Sequence, residues 1–145
     1  LDRCSLGDMR ALPVPLLPRT ARLLLLSAMM AFIGYFSLLS APPAAPVQQP
    51  FWDKHLHFVA YAGLALAFAY ATVRYRARPV VRGGIVIGST IVFGLLIELV
   101  QGVLPGRYFG WGDLLANSLG GVLVSVWFLL ERHIAYVRVT RLLKS

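Results

Sequence analysis

Three short stretches of this chain combine residue types that can move protons or hold a ligand. In "FWDKHLHF", Asp53 and His57 stand four residues apart. In "IELVQ", Glu98 and Gln101 stand three apart, and in "WGDLLAN", Asp113 and Asn117 again stand four apart. On a helix each pair shares one face and can point the same way. Lys54 follows Asp53, and Arg107 lies between the second and third stretches. Carboxyl groups beside an imidazole can act as acids or bases near neutral pH. A guanidinium offers a planar fork to a phosphate or carboxylate. The candidate acid–base residues are therefore Glu98, Asp113, His57 and Asp53.

The same four side chains are, alternatively, oxygen and nitrogen ligands for a divalent metal. The count of three histidines and the lack of H-E-x-x-H spacing weigh against that, so no metal and no cofactor are expected. The serines Ser27, Ser37, Ser40, Ser118 and Ser125 have no placed base, so no Ser-His-Asp set is evident. The single cysteine, Cys4, rules out an internal disulfide and a cysteine-built metal site.

Hydropathy dictates the elements that must hold these residues. Only 14% of the 145 residues are charged, 58% are hydrophobic, and the mean hydropathy is +0.71. Soluble domains carry about a quarter charged residues. Four windows, 23–41, 56–73, 84–104 and 114–130, reach or approach the about 20 apolar residues that span a bilayer. Pro, Gly or charge bounds each of them, and the connectors are short. The expected fold is all-α: a polytopic membrane protein built as a bundle of four transmembrane helices over 20–131. An N-terminal arm (1–19) and a basic tail (132–145) flank it. The first methionine is Met9, so residues 1–8 are open to being non-native and are given no role. "RTARLLLLSAMMAFIGYFSLLSAPPAA" has the outline of a secretory signal, but its apolar run exceeds the about 7–15 residues of a signal core, which favours a retained helix.

Twelve of the fourteen basic residues fall in the N-terminal arm, the 74–82 connector and the C-terminal tail, leaving only Lys54 and Arg107 on the other side. The positive-inside rule then places both termini in the cytoplasm of a bacterial inner membrane. The net charge of +8 becomes an orientation signal with some attraction to anionic headgroups, not a nucleic-acid footprint.

In that orientation Asp53, His57, Glu98, Gln101, Arg107, Asp113 and Asn117 share the outer face. Asp53 and Asp113 begin helices, where a carboxylate is favoured by the dipole and can serve simply as a cap. Glu98 lies about 10 Å of helix rise before Pro105. A carboxyl at that depth costs on the order of a few kcal/mol unless partnered or neutral. Arg107, His57 and Asn117 are its expected partners. Small residues (Gly88, Gly94, Ala116, Gly120, Gly121) permit close helix approach. Trp52, Tyr108, Phe109 and Trp111 would ring the outer boundary.

The blocks "DKHLHFVAYAGLALAF" and "IELVQGVLPGRYFGWGDLLANSLGG" resemble the two signature blocks of the VanZ-like family. Asp53, Lys54, His57, Phe58, Tyr61, Glu98, Gln101, Arg107, Asp113, Asn117 and Gly120 fall on that pattern with no departure, within a resemblance covering about residues 20–130. It implies a small membrane protein of four or five helices. The family's founding member is an accessory glycopeptide-resistance protein associated with teicoplanin. The candidate ligand-binding residues are then Arg107, Gln101, Asn117, Lys54 and Tyr61, although the Tyr61 hydroxyl also reads as polar glue between helices.

The leading expectation is an outer-face site that binds or modifies an envelope lipid or cell-wall precursor, with membrane lipids as the general partner. Whether any reaction is catalysed, and the oligomeric state, stay open at this stage. The alternatives are a non-catalytic partner that packs or docks on another membrane protein, and a small proton-coupled transporter using Glu98.

Overall fold

The computed structural model of the chain describes residues 12–40 and 51–139. The whole "PPAAPVQQP" connector, with Arg3, Cys4, Arg10, Arg141 and Lys144 of the arm and tail, lies outside the described residues. Four long helices account for most of the rest: α1 (Arg19–Gly34), α2 (Trp52–Ala71), α3 (Pro79–Gln101) and α4 (Trp111–Leu130). They match the four apolar windows in order. The ends differ by several residues because hydropathy marks apolar depth, whereas the helices begin on polar or turn-forming residues. α3, for example, starts with Pro79 in its first turn, where no N–H is required.

Three stretches are long and apolar enough to cross a membrane: Arg19–Leu39, Pro79–Gln101 and Trp111–His133. α2 is as long as α4, but it opens on the polar run Trp-Asp-Lys-His-Leu-His, which lowers its mean hydropathy. Burial is inverted relative to a water-soluble bundle. Leu24, Leu39, Val59, Val80, Val103 and Leu129 are exposed, while Arg22, Arg82, Thr90, Glu98, Asn117 and Glu131 are buried. In water such an apolar exterior would drive association. Against lipid it is the low-energy arrangement.

α2 sits at the centre, packing most extensively on α4 and also on α1 and α3. One apolar core joins Ala65 and Ala69 of α2 to Val86 of α3 and Val124 of α4, and a second joins Ile33 of α1 to Tyr61 and Leu64 of α2. Paired glycines on α4 set the spacing. A Cβ on Gly120 would run into the Phe58 carbonyl oxygen and come 2.9 Å from the Ala62 nitrogen, both α2 backbone; one on Gly121 would come 3.1 Å from Thr90 Cγ2 of α3. Gly120 thus lets α4 approach the α2 backbone directly, and Gly121 leaves room for a side chain of α3.

One feature departs from the all-α expectation. Two short strands, β1 (Leu12–Leu16) and β2 (Ile134–Arg138), pair in parallel with Leu12 opposite Ile134 and Leu16 opposite Arg138. Pro13 and Pro15 cannot donate to a ladder, which suits β1 to a single partner at an edge. The Tyr70 hydroxyl at the end of α2 pins β1 by donating to Pro15 O (2.8 Å) and accepting from Leu17 N (2.9 Å). The ribbon closes the end of the bundle where α1 begins and α4 finishes.

That end also buries charge. The Arg82 guanidinium, only 1% exposed, makes a two-pronged contact with the Glu131 carboxylate. It also donates to the Ala69 carbonyl at the end of α2. The Tyr136 hydroxyl of β2 donates to the same carboxylate. Arg82 is thus an interior tie between α2, α3 and the segment after α4, and not simply a basic loop residue.

Candidate functional site

The sequence-identified polar residues collect at the opposite end, where α2 and α4 begin and α3 finishes. Gly106, with φ of +74°, lets the chain turn sharply after α3 and deliver "RYFGWGD" back over the bundle. Side-chain exposure falls from 56% at Asp53 and 41% at Lys54 to 15% at Asp113, 14% at His57 and 0% at Glu98. The cluster is therefore a polar column running from the end surface into the bundle.

Its members touch in sequence. The Lys54 ammonium is hydrogen-bonded to Asp113 and lies 3.3 Å from Asp53 Oδ2. His57 Nε2 is 3.8 Å from Asp53 Oδ1. The other ring nitrogen, Nδ1, is 2.9 Å from Asn117 Oδ1 and 4.0 Å from Glu98 Oε1. Glu98 Oε2 accepts the Gly110 backbone N–H at 3.0 Å. Among the described residues Glu98 Oε1, Asn117 Nδ2, Tyr61 Oη and Trp52 Nε1 are buried without a hydrogen-bond partner. Buried polar groups are ordinarily paired, and leaving one unpaired costs about 1–3 kcal/mol. Glu98 and Asn117, two of these residues, both lie against His57, so part of the shortfall gathers at one histidine.

A cavity of about 100 Å³ opens beside this column. Asp53, His57, Tyr61, Gln101 and Arg107 give it a polar side, and Phe32 and Ile33 of α1 with Phe36 just after it give it an apolar wall. A π-helical turn, Tyr35–Leu39, continues α1. Such turns disturb the usual carbonyl pairing and recur at functional sites. The Ser37 carbonyl accepts from Gln101 Nε2 at 2.9 Å, and the Ser40 carbonyl accepts from Arg107.

Two expectations change here. Asp53 and Asp113 are not N-caps: they lie inside the first turns of α2 and α4, and neither helix has a side-chain cap hydrogen bond. Asp113 is instead joined to Lys54 across the two helices. Arg107 does not pair with Glu98; with Gln101 it clamps the end of α1, while Glu98 takes a backbone partner. Asp53, Lys54, His57, Glu98, Asp113 and Asn117 do come together, and Tyr61 lies just beneath them with its ring 6.2 Å from Phe93. The Gly110 N–H and the carbonyls of Ser37 and Ser40 could not have been found from residue types, because every residue carries those groups.

Asp53, His57 and Asp113 each place one ligand atom within 4.8 Å of the others. The Lys54 ammonium lies against both carboxylates of that group.

The fold and site define a helical membrane protein with a polar column sunk into one end of an apolar bundle. The VanZ/LLP1 family model matches residues 14–132, and the chain belongs to that family. No curated protein and no solved structure matches it.

Proposed function

We propose that the column and its cavity bind an amphipathic envelope molecule, an envelope lipid or lipid-linked cell-wall precursor, on the extracytoplasmic face of the bacterial inner membrane. The observation that carries this reading is Glu98: fully buried, one carboxylate oxygen unpaired among the described residues, and 4.0 Å from a histidine that lines the cavity. The mixed lining supports an amphipathic ligand. An apolar tail would lie along Phe32, Ile33 and Phe36, while a phosphate or carboxylate head would meet His57 and the Arg107 fork. His57, between Glu98 inside and Asp53 outside, is placed to pass a proton if a bond in that head is made or broken.

The proposed topology is four spans with both termini cytoplasmic, α2 completing the set through its apolar residues 56–71. Arg74, Arg76 and Arg78 between α2 and α3, against Lys54 and Arg107 as the basic residues at the site end, favour that orientation. A second reading, in which the polar groups only lock helices together, is favoured for Gln101 and Arg107 by their bonds to the end of α1. It gives no reason for the unpaired Glu98 oxygen.

The test is teicoplanin susceptibility of a sensitive Gram-positive host expressing wild type, Glu98→Gln or Asp113→Asn at matched membrane levels. Protection by wild type alone is expected. Equal protection by all three would remove the site from the activity, and protection by none would detach this chain from glycopeptide resistance.

A further inference from the structure

We infer that the opposite end of the bundle carries a second site, for a phosphate-bearing anion, in a cavity of about 630 Å³ walled by five arginines. Arg19 and Arg22 come from the start of α1, Arg74 and Arg76 from the connector between α2 and α3, and Arg138 from the end of β2. Tyr136 and an apolar part made of Leu16, Leu17, Pro18, Val73 and Val139 complete the wall. Among the described residues lining the cavity none is acidic. The nearby carboxylate of Glu131 is already engaged by Arg82 and the Tyr136 hydroxyl. Five like charges around one space repel each other unless an anion enters, and guanidinium groups match phosphate oxygens in pairs.

Arg22 is the observation that makes this a built site and not only a basic surface. It is 7% exposed, and its Nη1 donates to the Tyr70 and Ala71 carbonyls at 2.9 and 3.3 Å. Those bonds fix the guanidinium against the end of α2. Its Nε–H is buried and has no partner among the described residues. Arg22 lines the cavity, so a small shift of its guanidinium toward that space would bring the unpaired donor to a bound oxyanion. The positive-inside rule accounts for arginines at this end in general. It does not account for a buried, oriented one with a donor left over.

The cavity lies where α1 begins and α2 ends, so the phosphate can come from a phospholipid headgroup or from a soluble compound. Both sources are tested with the full chain in neutral detergent micelles, titrated in one arm with inorganic pyrophosphate and in the other with phosphatidylglycerol, phosphatidylcholine serving as control. Saturable binding of at least one of the two anions is expected. Phosphatidylglycerol alone assigns the site to a headgroup, and pyrophosphate alone assigns it to a soluble phosphate. Competition between them assigns one shared phosphate position.

The exposed pair Arg76→Gln and Arg138→Gln, made together, is expected to weaken binding by about tenfold or more, while Arg132→Gln, outside the cavity, changes it less than about twofold. Saturable binding of neither anion, or equal weakening by Arg132→Gln, would overturn the inference. Arg22→Lys keeps the charge but loses the Nε–H donor, so it is expected to weaken binding while the folded chain still elutes as wild type. Unchanged affinity in that variant would also count against the site.

Discussion

Replacing Gly120 by alanine is a sharp test of how the helices hold the site. The added Cβ would overlap the Phe58 carbonyl oxygen and lie 2.9 Å from the Ala62 nitrogen, below the about 3.0 Å that Cβ atoms keep. Both obstacles are backbone atoms of α2, so no side chain can rotate away. Relief requires α4 to move off α2 by a substantial fraction of an ångström, and overpacking of that kind costs about 1–3 kcal/mol. Asn117 is one helical turn from Gly120 and bonds His57 of α2 at 2.9 Å. The same movement therefore stretches a bond that is effective only to about 3.2 Å. Gly88 supplies the control, since a Cβ there would meet nothing within 4 Å, and alanine is the better helix former by about 1 kcal/mol. Thermal unfolding in mild detergent should show Gly120→Ala melting clearly below wild type and Gly88→Ala melting at or above it. Equal melting temperatures for the two variants would refute the close α2–α4 contact.

Further tests concern the two ends. Removing either partner of the buried Arg82–Glu131 pair should destabilise by about 3–5 kcal/mol, and Arg82→Met combined with Glu131→Leu should recover most of that loss in the same melting assay. Burial, and then its hydrogen bond to Glu131, push the Tyr136 hydroxyl from 10.0 up to about 12. The folded chain then holds this proton more tightly than the unfolded one, so the contribution is complete below pH 10 and is lost as pH rises toward about 12. Tyr136→Phe should flatten that part of the stability–pH curve. Gln101→Ala should raise amide exchange across Tyr35–Leu39, where its side chain holds the Ser37 carbonyl, at a cost of about 0.5–1.5 kcal/mol. Unchanged exchange there would mean that the clamp does not secure α1.

Much of this architecture was legible in the sequence because membrane helices announce themselves locally. Twenty apolar residues between breakers suffice, and the i,i+4 pairs Asp53–His57 and Asp113–Asn117 already share faces. Segregation of the acids to one end followed from the same windows, and six of the side chains named on that basis do meet. The partners were harder to foresee. One carboxylate oxygen of Glu98 accepts the Gly110 N–H, and Gln101 and Arg107 reach carbonyls in and just after a π turn, neither of which residue identity reveals. β1 and β2 are more than a hundred residues apart in sequence, and a proline-rich segment gives little strand signal. Arg22 and Arg82 read as topology markers because charge counting weighs number and side. It says nothing of the Glu131 carboxylate or the helix-end carbonyls that draw them inside.

The claim on which the account rests is that the Glu98 column is kept for a ligand and not for stability. It is tested most directly by the melting temperature of Glu98→Gln in mild detergent. The amide oxygen can still accept the Gly110 N–H, and the change replaces a fully buried carboxyl with a neutral amide of nearly the same shape, which spares the desolvation cost of a buried charge. Functional groups of this kind are commonly retained at the expense of stability. The account predicts that Glu98→Gln melts at or above wild type. A clear fall in melting temperature would contradict it and show Glu98 to be part of what holds the helices together.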